Sequence, residues 1–175
     1  MKKIILAMVA VMVPLMLSAG STDFWFRHFS VEDGLSSSAV RAIMQDKYGF
    51  MWLGTDDGLN RYDGTTIKIY RLNPEGVNDY ISFLYDTTDR IWIGTGDGVY
   101  IYDYETENFE PFKLLTAKGD SIKTNVNHIA EDRDGNLWFS TVGQGIFKYN
   151  VSKHYLERYE FKDADGLMAL SLIHI

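Results

Sequence analysis

Beyond residue 20 the chain places apolar and polar residues in short alternating bursts and never sustains a helical apolar period. In SAVRAIMQD (38–46), DYISFLYD (79–86) and NVNHIAED (125–132), apolar residues recur with polar ones between them. That pattern predicts strands with one face toward a core. Each is followed by a run that is apolar on both faces: FMWLGT (50–55), RIWIGT (90–95) and NLWFST (136–141). Strand side chains alternate, so Trp52 points one way while Met51 and Leu53 point the other, and such a strand is predicted to be covered on both sides. Third strands follow as LNRYD (59–63), VYIYD (99–103) and IFKYN (146–150), and fourth strands as TTIKIYR (65–71), NFEPFKL (108–114) and YLERYEF (155–161). Asp57 with Gly58, Asp97 with Gly98, and Gly143 with Gly145 supply the positive φ angles of tight turns between the second and third strands. The predicted class is all-β, built from four-stranded antiparallel units.

These units are copies of one another. The leading aspartates Asp46, Asp86 and Asp132 each stand six residues before a tryptophan, Trp52, Trp92 or Trp138. A small residue and a threonine come next, as Gly54 with Thr55, Gly94 with Thr95, and Ser140 with Thr141. A turn glycine (Gly58, Gly98, Gly145) and a tyrosine four residues later (Tyr62, Tyr102, Tyr149) complete the motif. Its core copies span residues 46–63, 86–103 and 132–150, within a repeat region read as 46–167. The tryptophans lie 40 and 46 residues apart, close to the period of four-stranded propeller blades. Three blades are fewer than the four to eight that close a ring, so the chain reads as an incomplete propeller.

Residues 1–20 have a different character, with Lys2 and Lys3 ahead of an uncharged apolar run ending at Leu17 and then Ser18, Ala19 and Gly20. This is the pattern of a secretory signal peptide, and the run is shorter than the roughly 20 residues of a spanning helix. Residues 21–45 lead into the first repeat. Residues 168–175 read as a truncated or non-native tail.

The chain contains no cysteine, which removes thiolate metal sites, cysteine nucleophiles and disulfides from consideration despite the predicted export. Its formal net charge of −7 and lack of a basic cluster argue against nucleic-acid binding.

The repeated D…W-x-G-T…G-L-x-R-Y-D signature, preceded by FSVEDGLSSSAV (29–40), resembles the two-component regulator propeller repeat. The resemblance covers about residues 24 to 167, and it implies that residues 21–45 hold, in DFWFRHFS, the strand that closes the ring by completing the last blade, with Trp25 and Phe29 as its packing residues, followed by the lead-in to the first blade. It implies a periplasmic ligand-sensing propeller attached to a membrane-anchored hybrid sensor histidine kinase of a Gram-negative bacterium, regulating transcription. It further implies an oligosaccharide or other small extracellular ligand, the remaining blades and kinase region as intramolecular partners, and a homodimer. No cofactor or metal is expected, and no enzymatic activity of this segment. An exported propeller enzyme, a lyase or glycoside hydrolase, and an adhesive or scaffolding propeller are the alternatives.

The acids Asp46, Asp56, Asp57 and Asp63 invite comparison with the paired carboxylates of glycoside hydrolysis. Their recurrence in later copies favours turn and capping roles over catalysis. DRDGN (132–136) opens like a calcium loop, but position twelve is Gly143 instead of the distal glutamate. Trp52, Trp92 and Trp138 occupy one repeat position and are assigned to packing between blades. Tyr48, Tyr80 and Tyr155 fall outside that frame and are the candidate ligand-contacting aromatics.

Overall fold

The computed structural model describes residues 26–72 and 79–159, and the predicted signal peptide, Trp25 and the tail lie outside that range. The described chain forms three four-stranded antiparallel sheets in which each strand pairs with the next along the sequence. The first comprises β1 (Val40–Gln45), β2 (Met51–Thr55), β3 (Gly58–Tyr62) and β4 (Ile67–Tyr70). The second comprises β5 (Ile81–Asp86), β6 (Arg90–Thr95), β7 (Gly98–Asp103) and β8 (Asn108–Pro111). The third comprises β9 (Val126–Glu131), β10 (Leu137–Thr141), β11 (Gly145–Asn150) and β12 (Tyr155–Tyr159). A single 3-10 turn, Val31–Asp33, is capped by Ser30 and ends at Gly34 in the left-handed region. The strands contact one another across sheets as β1 with β5 and β5 with β9, so the first strand of each sheet is innermost. The sheets are the unclosed blades that the repeat predicts.

The core lies between sheets. One cluster, at the first seam, joins Trp52 and Leu59 to Ile81, Leu84, Ile91, Ile93 and Tyr102. A second, at the next seam, joins Trp92 and Val99 to Val126, Ile129, Phe139, Phe147, Tyr149 and Leu156. The registers explain why. Trp52 faces Met44 and Arg61 across its ladders and points toward the second sheet, where its ring lies 5.1 Å from that of Tyr102. Trp92 repeats the geometry one sheet on, 5.8 Å from both Phe139 and Tyr149. Trp138 has the same place in the third sheet but points to the open side, where it is only half-buried against Tyr159 and Lys148. Burial of a large apolar side chain contributes about 1.5–3 kcal/mol, and one seam collects several.

The small residue after each tryptophan sets how closely the sheets approach. A Cβ on Gly54 would lie 2.6 Å from Ile81 Cγ2 of the neighbouring inner strand, and one on Gly94 would lie 3.1 Å from the Val126 carbonyl oxygen. The threonine that follows staples the turn: its Oγ1 donates to the turn glycine carbonyl at 2.9 Å (Thr55 to Gly58), 3.0 Å (Thr95 to Gly98) and 2.6 Å (Thr141 to Gly145). Those glycines have φ of 110°, 149° and 81°, values that side chains strongly disfavour.

Phe26–Ser30, the described part of the expected closing strand, joins no ladder among these three sheets. A closing strand requires the last sheet of its ring as a partner, and none of these three offers that edge. Phe29 instead packs edge-on against Tyr62 at 4.9 Å, beneath the Arg27 guanidinium. Leu35 is buried, but Ile43 remains 64% exposed on the first sheet's open face.

Gly54→Ala is expected to destabilise the fold by about 1–3 kcal/mol through overpacking. Ile81→Ala should cost less in that background than in the wild type, a coupling that a urea-unfolding double-mutant cycle would measure.

Candidate functional site

Each motif aspartate sits where an inner strand turns into the second strand. Asp46 Oδ1 accepts from the Tyr48 and Phe50 amides at 2.9 and 3.0 Å, and its Oδ2 accepts from Trp52 Nε1 at 2.7 Å. Asp132 repeats this with the Asp134 and Asn136 amides at 3.0 and 2.9 Å and Trp138 Nε1 at 2.9 Å. One carboxylate therefore folds the hairpin and orients the indole that fills the seam. The Trp138 bond, followed by those from Asn136, holds the Asp132 carboxyl well below the usual range. Its oxygens are occupied by this network, and among the described residues no cluster of three or more histidines or acids could hold a metal ion.

The ladders correct the alignment of the second copy. Tyr85 pairs with Trp92, as Met44 does with Trp52 and Ala130 with Trp138, so Asp86 stands where Gln45 and Glu131 do, at the end of its strand. Thr87 takes the aspartate's place and closes a loop one residue shorter, with its amide on the Arg90 carbonyl at 2.9 Å. The shorter loop made the six-residue spacing to tryptophan coincide. Asp86 accepts instead from the Tyr104 hydroxyl at 2.9 Å, and burial raises its pKa. Lys47 of the first sheet reaches over Tyr104, 4.3 Å from the ring centroid, and ties the two loops together.

The other acids do not converge. Asp46 and Asp63 flank the loops at one end of the first sheet, whereas Asp56 and Asp57 occupy the β2–β3 turn at the other. Asp56 is bound by Arg41 at 2.7 and 3.1 Å, and Asp57 by Arg71. Asp63 accepts from Thr65 and Thr66 and closes the β3–β4 turn. The candidate tyrosines are likewise dispersed. Tyr48 is 63% exposed in the β1–β2 loop, Tyr155 begins the outer strand β12, and Tyr80 precedes β5 at the opposite end.

Tyr80 lies beside a feature that alternation alone did not reveal. All three inner strands are bulged at their second residue: the register shifts between Val40 and Ala42, between Ile81 and Phe83, and across Val126 and His128. A bulged residue leaves the ladder and its side chain is re-aimed. The three residues are Arg41, Ser82 and Asn127, which occupy one position on successive inner strands. Arg41 is held by Asp56 with its guanidinium 5.9 Å from the Tyr80 ring centroid, and Asn127 is exposed. This inner-strand end presents a cation, an amide and an aromatic ring, groups suited to a polar ligand, while the Ser82 hydroxyl is taken by the Val126 carbonyl. The sequence carries no common signal for these bulges, since Arg41 and Ser82 continue the alternation and only Asn127 with His128 interrupts it.

Residues 34–57 and 121–143 match the two component regulator propeller family. Two stretches of the chain thus match that family's repeat. The matched stretches hold the two aspartate-clamped hairpins, while the second repeat, with its shorter loop, lies outside them. Over 59 residues the chain is 56% identical to Histidine kinase P4 of Formosa agariphila, covering 34% of this chain and 4% of that protein. Among solved structures it is similar to the extracellular domain of BT3049 from B. thetaiotaomicron, described as a hybrid two component system, with TM-score 0.68 and 30% identity over 76% of this chain and 20% of that one. Virginiamycin B lyase from Staphylococcus aureus shares the fold, with TM-score 0.56 and 15% identity over 71% of this chain and 42% of that enzyme. The repeats thus span a small part of the sensor proteins they match.

An acid titration tests the clamp. The folded Asp132 carboxyl binds its proton more weakly than an unfolded aspartate, whose pKa is about 3.9, so its stabilisation is present above that value and fades as the pH falls through it. The urea midpoint, followed by indole fluorescence, should fall less steeply between about pH 5 and pH 2 in Asp132→Asn than in the wild type.

Proposed function

We propose that these repeats open the exported, ligand-sensing propeller of a hybrid two-component sensor kinase, and that the ligand is an oligosaccharide released from a glycan. The observation that carries this reading is the family match at two separate repeats, supported by the 30% identity to an extracellular domain of a hybrid two component system. The apolar run after Lys2 and Lys3 supports passage to the periplasmic side, with the kinase region across the membrane. A ligand signals through such a receptor only by binding one arrangement of the paired sensors more tightly than another. The inner-strand end, with Arg41, Asp56 and Tyr80, is the proposed contact region. Nothing specific favours the enzymatic reading, since the lyase likeness is one of fold and the acids are engaged in separate turns and ion pairs.

The test is calorimetric titration of the complete exported region with neutral and acidic oligosaccharides. One glycan class should bind with saturable heat, and Arg41→Ala with Tyr80→Ala should weaken it by at least tenfold without moving the thermal midpoint. Heat that continues after saturation would instead report turnover, and silence across a broad glycan panel would remove the carbohydrate assignment.

A further inference from the structure

The open face of the third sheet continues the pattern of the two filled seams, with one exchange of chemistry. Trp138, Ser140 and Ile146 stand in the registers of Trp92, Gly94 and Val99, the residues that meet the following sheet at the second seam. Where the first two sheets have glycine, the third has Ser140, whose Oγ is buried without a hydrogen-bond partner. A buried hydroxyl left unpaired is costly, which points to a partner on the sheet that covers this face.

The second seam shows what that partner is. There the bulged residue Ser82 donates its hydroxyl to the Val126 carbonyl of the neighbouring inner strand at 2.5 Å. A Cβ on Gly94 would lie 3.2 Å from that hydroxyl and 3.1 Å from that carbonyl, so glycine at this position and serine at the bulge fit together. In the third sheet the bulged residue is Asn127, which is exposed. On this face the hydroxyl is carried by the second strand, at Ser140, instead of by the inner-strand bulge.

We infer that the third sheet's open face receives a further repeat of the same type, and that Ser140 donates its hydroxyl to the main-chain carbonyl of that repeat's inner strand, at the position of Val126. This rests on the reading that more repeats follow Tyr159. The same register implies a residue smaller than Ile81 at that point of the following strand, because Ile81 packs on a glycine with no room for a Cβ.

The test extends the chain through its own downstream repeats. Ser140→Ala should raise the unfolding equilibrium constant of that protein by about fivefold to tenfold, the effect of one buried hydrogen bond, and should lower that of the 175-residue chain, where the buried hydroxyl has no partner. Ser140→Gly should weaken the extended protein similarly. Adding Asn127→Ser should restore it by recreating the second-seam arrangement. A coding sequence with no repeat after Tyr159 would defeat the reading of a longer propeller. With repeats present, an inert Ser140→Ala, a double variant no better than Ser140→Gly alone, or an effect that depends on protein concentration, as when a second copy covers the face, would overturn the assignment of Ser140 alone.

Discussion

The seam between sheets is the constraint from which the rest follows. A four-stranded blade has no interior of its own, so its apolar side chains are covered only when a second blade packs against them. Trp52 and Trp92 each project forward from the second strand of one sheet into the next, and both hydrophobic clusters form around them. Everything else in the motif serves that projection. In the first sheet Asp46 aims the indole of Trp52, the glycine admits the neighbour's inner strand, and the threonine and turn glycine hold the strand's far end.

The sequence made the blade legible because the repeat supplied three readings of one design. Strand order, turn positions and the inward place of the tryptophans could all be inferred from alternation plus recurrence. Asp86 shows where this fails, because spacing counted along the chain cannot distinguish a shortened loop from a preserved one. Only the pairing of Tyr85 with Trp92 reveals that Thr87 has taken the aspartate's place. The segment before the first blade is a different case: a strand exists only through its partner, and Phe26–Ser30 has none among these sheets, which do not include the last blade that a closing strand would complete.

The candidate ligand region was the least legible part. Exposed aromatics outside the repeat frame do not converge: Tyr48 and Tyr155 lie away from Tyr80, with Tyr80 beside Arg41 and Tyr48 beside Lys47 and Tyr104. Bulges were decisive and escaped notice, since one inserted residue hardly disturbs a hydrophobic pattern six residues long. The apparent acid cluster also dissolved, because β2 separates its members and each acid is committed to a local turn or an arginine.

The bulges bear on what a blade can display. Arg41, Ser82 and Asn127 occupy one geometric slot yet differ in charge, size and hydrogen-bonding character. A residue outside the strand pairing is constrained only by what packs on it: Ser82 is tied to the neighbouring inner strand, whereas Arg41 and Asn127 are exposed. Substitution at such an exposed slot can alter what a blade displays without touching the ladder that holds it together.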